Sequence, residues 1–434
     1  MSDNLFDKTY SRRVFLQQGM TFASMLATTP LFIERSAESM MLPFGSQTSS
    51  QPGVPEDRVL VVVQLGGGND GLNTVVPYSF PEYYRRRPGL AVREPGSRAG
   101  SEALQLDRNA GLGLHPNFSG FKSLIDDGVA SVIQGVGYPN PNRSHFTSMD
   151  IWQTADTSGS GRGWLGRYYD NTCSGTPNAE CHPPISIGNS APRALVGKSH
   201  KPVSFESARL FQWMGERVHK SLDEPYDNIT RAGKLDGVEP NSQLAYLMRT
   251  SLDAQVSSDR IRAAVQAEPL VSYPRSGLAR QLQMVGAMIR NDLPTRVYYV
   301  SLSGFDTHAN QQGQHANLLR QVGDALKTFY DDLKAQGNSG RVLTMVFSEF
   351  GRRVAQNASG GTDHGTAAPM YLIGDMVRPG VLGHHPSLTD LDQGDLKYNV
   401  DFRSVYAGIL EDWMGANSQN VLGDSFRKAR LIRS

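Results

Sequence analysis

The sequence has few cysteines, almost no net charge and no long apolar run. Two cysteines in 434 residues, Cys173 and Cys181, allow at most one bridge. An oxidising compartment permits it as a staple in a loop rich in Gly, Pro, Ser and Asn, with two unpaired thiols as the alternative. Neither reading gives the sulfurs a catalytic role. Near-equal acids and bases leave a formal charge of +1, so nothing points to nucleic acid or an anionic membrane surface as a partner. The weakly apolar stretch over residues 20–33 is too short and too polar for a stable transmembrane anchor. No internal repeat or low-complexity tract is present. At this length an apolar content of 39% still allows a sizeable core, and 44 glycines with 24 prolines predict many long, ordered loops.

The amino terminus carries an address. Tyr10-Ser-Arg-Arg-Val-Phe-Leu16, with Arg12 and Arg13 as the pair, looks like a twin-arginine export signal. Residues 1–40 are therefore set aside as a signal segment, with the twin-arginine translocase as partner and a periplasmic or secreted destination. Residues 41–57 form a linker, and 58–434 read as a single domain with a loop-rich insertion near 157–235.

Residues 59–65, Val-Leu-Val-Val-Val-Gln-Leu, form a β-branched run with almost no polar alternation. Such a run predicts a strand covered on both faces, as in a parallel sheet between helix layers. Further strands are predicted over 129–135, 296–301, 341–347 and 370–373, with short ones near Ile185 and Val203. Helices are predicted from about Ser144 through Thr154, over 244–267 and 278–291, along Leu318, Leu319, Val322, Leu326, Phe329 and Leu333, and over 403–413. Strands alternating with helices place the chain in the α/β class.

The acids and histidines fall where chemistry is expected in such a fold. Asp70, Asp306 with His308, and Glu349 each follow a predicted strand, and Asp363 with His364 precede another. If the strands are parallel neighbours, all six side chains collect at one sheet edge, where open α/β sheets bind ligands. Carboxylates and imidazoles suit zinc, manganese or magnesium, and four carboxylates in one cleft repel without a cation. That repulsion predicts one or two divalent ions. Each residue also has a structural reading: an Asp after a strand caps a helix or forms a turn, and Glu349 can pair with Arg352 or Arg353. His115, His384 and His385 are secondary candidates. Gly66, Gly68 and Gly71 satisfy a dinucleotide-binding spacing, but Asn73-Thr-Val-Val-Pro77 is poor material for the helix that motif needs, and Asp70 would repel phosphate.

Six motifs taken together resemble one family: Gly67-Gly-Asn-Asp-Gly-Leu-Asn73, Asn142-Arg-Ser-His-Phe146, Gly163-Trp-Leu-Gly-Arg167, Gly304-Phe-Asp-Thr-His308, Ser348-Glu-Phe-Gly-Arg352 and Gly361-Thr-Asp-His-Gly365. They are similar to those of domain-of-unknown-function family 1501, which is grouped with the alkaline-phosphatase-like superfamily. The resemblance implies a three-layer α/β/α sandwich with a large, mostly parallel central sheet and one or two metals at its carboxyl edge. It implies Asp70 as a first metal ligand and Asp306 with His308 as a metal pair, although the superfamily spaces that pair four apart rather than two. Counting back from Trp152-Gln-Thr-Ala155, which resembles the end of the superfamily's nucleophile helix, implies Ser144 as nucleophile with His145 as substitute. At Ser348-Glu349-Phe350 the superfamily usually has Asp-His, so Glu349 stands for the Asp while Phe350 cannot bind metal. His364 matches the late histidine before a final strand, with Asp363 as an added ligand. Arg143 or Arg167 would clamp the substrate anion through paired N–H donors. The function implied is metal-dependent hydrolysis of a phosphate or sulfate ester on a small molecule or glycan. The alternative is a non-catalytic envelope protein using the same fold to bind a glycan or a partner protein.

Overall fold

The computed structural model describes residues 57–97, 100–173, 182–198, 200–207 and 260–433. Residues 1–40, expected to be a signal segment, nearly all of the expected linker, Cys181 and most of the expected 244–267 helix lie outside them. Cys173 is disulfide-bonded.

The strands are β1 (Val59–Gly66), β2 (Val75–Val76), β3 (Leu104–Asp107), β4 (Leu112–Leu114), β5 (Ala130–Gly137), β6 (Ile185–Ile187) and β7 (Val203–Phe205). They continue with β8 (Val297–Ser303), β9 (Val342–Ser348), β10 (Ala368–Ile373), β11 (Gly380–Leu382), β12 (Leu391–Asp392), β13 (Asp395–Leu396) and β14 (Val400–Asp401). The main helices are α1 (Ser119–Asp126), α2 (His145–Thr154), α3 (Trp164–Thr172), α4 (Gly277–Arg290), α5 (Gln311–Ala335) and α6 (Phe402–Asp412).

Nine strands make the central sheet in the order β11-β5-β10-β9-β1-β8-β6-β7, with β14 also pairing β5. β1 lies at its heart, parallel to β8 and β9. Side chains alternate across a strand, so the apolar run of β1 supplies both faces. Val59, Val61, Val63 and Leu65 pack with α1, α4 and α5, whereas Leu60 and Val62 pack with α2, α3 and α6. Helices on both faces make this the expected three-layer α/β/α sandwich, mostly parallel.

One strand runs against the rest. β10 is antiparallel to both β5 and β9. Its amino-terminal end therefore lies at the edge where β1, β5, β8 and β9 have their carboxyl ends. Residues after four strands and residues before a fifth are thus gathered at one rim.

Two departures concern short elements. Within the stretch expected to be loop-rich, α3 buries Trp164, Leu165, Tyr168 and Tyr169, whose spacing is helical. Between β1 and α1, the strands β2, β4 and β3 form a small separate sheet. Strands of two to four residues carry too little periodicity to be legible in advance. Among the described residues no helix is long and apolar enough to cross a membrane.

Candidate metal centre

The turn after β1 sets the floor of the site. Gly67 and Gly68 have φ of +116° and +74°, a region that favours glycine. A Cβ on Gly67 would lie 2.4 Å from the Asp306 amide nitrogen, and one on Gly68 would lie 2.4 Å from the Phe350 ring. Only bare backbone lets the β1, β8 and β9 loops approach this closely. The turn is tied down by Asn69 N–H donating to Ser348 Oγ at 2.9 Å and Gly67 N–H donating to Glu349 Oε1 at 2.8 Å.

Above this floor three imidazoles surround Asp306. Each has its Nδ1 beside an acceptor from a different element. In His364 it faces the Arg143 carbonyl at 2.7 Å, in His145 Glu349 Oε1 at 2.8 Å, and in His308 Asp363 Oδ1 at 3.3 Å. With Nδ1–H donated outward, each Nε2 keeps a lone pair, the arrangement that fixes metal-binding histidines. His308 Nε2 and His364 Nε2 are 2.9 Å apart, and each is 3.0 Å from Asp306 Oδ1. His145 Nε2 is 3.4 Å from Asp306 Oδ2 and, though buried, has no hydrogen-bond partner. His145, Asp306 and His364 offer ligand atoms all within 4.8 Å of one another.

Lone pairs brought this close repel unless something electropositive lies among them. A tetrahedral ion with ligand bonds of about 2.0–2.1 Å separates its ligand atoms by roughly 3.3 Å. The near-equilateral triangle of His308, His364 and Asp306 has that scale, and the orphaned His145 Nε2 is a fourth donor. The residues present therefore fit a divalent cation. Desolvation pushes the Asp306 carboxyl pKa up, but the Arg352 hydrogen bond and charge, with the adjoining His364 and His308 rings, override it and hold the group well below the usual carboxylate range. Phe350 packs its ring against His145 and His364, with centroids 4.9 and 4.8 Å away. Where a ligand histidine was expected, it serves as an apolar backing for two others.

The expected site residues do not all come together. Asp70 does not join the cluster. It is fully buried, ion-paired to Arg87 Nη1 at 2.6 Å, accepts from Gln311 Nε2, and caps the single helical turn at Gly71–Thr74 through Asn73 N–H at 3.3 Å. Burial raises its pKa, but the Arg87 guanidinium, then His315, and hydrogen bonds from Arg87 and Gln311 outweigh that and leave it lowered. Glu349 pairs with neither Arg352 nor Arg353; it orients His145. Asp363 stands behind His308 and accepts from Asn357 Nδ2 at 3.1 Å, so both carboxylates lie outside the cluster of Nε2 atoms.

The clamp candidates already have protein partners. Arg143 is ion-paired with buried Asp395, and Arg167 donates to the carbonyls of Thr154, Arg162 and Val421. Ser144 is the exposed N-cap of α2 and makes no side-chain capping bond. His115 sits beside His315 in the buried surroundings of Asp70, and burial lowers their pKa values to about 3 and about 4. His385 packs on Phe80, while the exposed His384 offers its carbonyl to Asn399. None of these four histidines reaches the cluster.

Sequence reasoning missed Arg352 as a member of the site. Its Nη2 donates to Asp306 Oδ1 at 2.6 Å. The signal available was its place in Ser348-Glu-Phe-Gly-Arg352, four residues past the strand.

The family described as "Protein of unknown function (DUF1501)" matches residues 57–422. No curated protein matches the chain. Among solved structures, the chain is similar to a protein in the alkaline phosphatase superfamily from Vibrio parahaemolyticus, at 10% identity and TM-score 0.34, covering 84% of this chain and 71% of that one. It is similar to the C-terminal periplasmic domain of EcEptC from Escherichia coli in complex with Zn, at 9% identity and TM-score 0.34, covering 76% of each chain. It is also similar to the lipoteichoic acid synthase LtaP from Listeria monocytogenes, at 8% identity and TM-score 0.33, covering 80% of this chain and 73% of that one. Likenesses this faint carry no argument about activity, metal or substrate.

Proposed function

The chain belongs to the DUF1501 family, and on that premise we propose that it is an exported, metal-dependent hydrolase of phosphate or sulfate esters on a small molecule or glycan. The observation that carries this reading is the set of three imidazole Nε2 atoms turned toward the single carboxylate of Asp306. His145, His308, His364 and Asp306 would hold the ion. Glu349, Asp363 and the Arg143 carbonyl keep the three rings in the tautomer that offers Nε2. When bound, a zinc, manganese or magnesium ion supplies Lewis-acid stabilisation of charge on the transferring group.

The protein's own groups do the rest. Ser144 stands at the start of α2 with its hydroxyl free of a capping bond, where the helix dipole favours the developing anion. It is the nucleophile of this proposal. His145, the next residue, ties that helix end to the ligand set. Phe146 follows with 86% exposure and offers an apolar face to the organic part of the ester. Arg12 and Arg13 mark the twin-arginine translocase as partner and the periplasm or exterior as destination.

The test is metal analysis of purified protein, followed by assay with p-nitrophenyl phosphate, bis(p-nitrophenyl) phosphate and p-nitrophenyl sulfate. Turnover should require metal, disappear together with metal in Asp306→Asn, and fall in Ser144→Ala at unchanged metal content. The second reading, a non-catalytic envelope protein binding a glycan or partner, is favoured by the engagement of Arg143 and Arg167 elsewhere. Metal-loaded protein inert on every ester would move the assignment there. Wild-type protein retaining no metal would remove the basis of the hydrolase reading.

A further inference from the structure

Arg352 is completely buried, yet its guanidinium enters the ligand cluster. Nε donates to the Gly68 carbonyl at 2.7 Å and Nη1 to the Thr362 carbonyl at 2.8 Å. Nη2 reaches the carbonyls of Gly67 and Phe305 and Asp306 Oδ1, the last at 2.6 Å. Nη1 also lies 3.5 Å from His308 Nε2. Five acceptors fix this cation in place, so it cannot swing out to meet a substrate. Its Nη2 serves the same oxygen, Asp306 Oδ1, that stands 3.0 Å from His308 Nε2 and His364 Nε2, so a fixed positive charge already lies against that carboxylate.

We infer that Arg352 takes the place of a second metal, so that the centre holds one divalent ion. This rests on the metal reading above. Two further observations support it. First, the carboxylates a second ion would need are engaged: Glu349 with His145, Gly67 N–H and Ser348 Oγ; Asp363 with His308 and Asn357; Asp70 with Arg87, Gln311 and Asn73. Second, charge balances at one ion. Asp306, Glu349 and Asp363 contribute three negative charges and Arg352 one positive, which leaves two for a single divalent cation to neutralise. A second ion would leave the pocket with an uncompensated double positive charge, the buried guanidinium included.

The experiment is zinc stoichiometry on the purified full chain by native mass spectrometry and titration calorimetry. One equivalent, lost in Asp306→Asn, is expected. Two equivalents lost together in Asp306→Asn would overturn the inference and leave the metal reading standing; none would overturn both. Arg352→Gln separates a charge role from a scaffold role. Removing the positive charge should tighten zinc binding by at least about tenfold or admit a second equivalent. Unchanged or weaker binding in an Arg352→Gln protein with native circular dichroism counts against the inference. If that variant does not fold, the wild-type stoichiometry decides alone.

Discussion

Asp70 and Asp306 follow neighbouring parallel strands in similar glycine-containing turns, and their surroundings send them to opposite tasks. Asp70 meets a guanidinium at zero exposure, so its charge is locked in a structural pair. Asp306 also meets a guanidinium, that of Arg352, but it is 47% exposed and its remaining neighbours are imidazoles. Breaking a buried ion pair from one side leaves the other charge unpaired, so Asp70→Asn should cost about 3–5 kcal/mol of stability. Its folded fraction should still bind metal. Asp306→Asn should cost about 1.5–3 kcal/mol, since buried Arg352 loses its charged partner but keeps four carbonyl ones, and it should abolish metal binding. Urea unfolding alongside metal analysis checks both, and the reverse pattern would exchange the two assignments. Gly68→Ala meets two penalties, a φ of +74° and a Cβ pushed into the Phe350 ring. It should destabilise the fold by about 1–3 kcal/mol. A wild-type urea midpoint in this variant would contradict the argument for the turn.

At the scale of elements, β10 and α2 decide what the site contains. Were β10 parallel like its neighbours, Asp363 and His364 would precede it at the far edge of the sheet, away from Asp306. α2 brings His145 and Ser144 in at its first turn, and its last turn is held by Arg167 through the Thr154 carbonyl. Burial lowers the Arg167 pKa, with Asp156 opposing; even so, the side chain serves carbonyls rather than a substrate. Arg167→Met should therefore lose about 1.5–3 kcal/mol of stability per charged hydrogen bond that is not replaced. The KM for any ester turned over should stay within about twofold. A KM raised tenfold or more at native stability would restore Arg167 as an anion clamp.

For the molecule as a whole, buried imidazoles couple stability to acid. Burial lowers the pKa of His115 to about 3, and of His315 and His385 to about 4. An unfolded histidine titrates near 6.5. Between these values the unfolded chain binds more protons than the folded one, so stability is full above about pH 6.5 and falls as pH drops toward 4. The depressed Asp70 adds to this at lower pH: its contribution is present above about pH 4 and is lost as the pH falls through its folded value. The melting temperature, measured with a chelator present, should decline steadily from pH 7 to pH 4.5. It should decline less in His315→Gln, which can still donate to Asn69. A profile flat over that range would refute the coupling.

The α/β class was legible in the sequence because it depends on local pattern. The unbroken apolar run of β1 reads as a strand buried on both sides, and the spacing along α5 reads as a helix stripe whatever surrounds them. The rim was legible for the same reason: strand ends can be located from pattern, and the acids and histidines stand beside them. What each carboxylate faces was not legible. Arg87 is seventeen residues from Asp70 and forty-six residues separate Arg352 from Asp306, and no local periodicity tells which guanidinium reaches which acid. Nor does a six-residue strand reveal its direction. Hydrogen bonding to β5 and β9 reverses β10, and that reversal carries His364 to Asp306. Local preferences thus set the elements and their ends, while partners distant in the chain decided which polar groups would be neutralised and which left open to a cation.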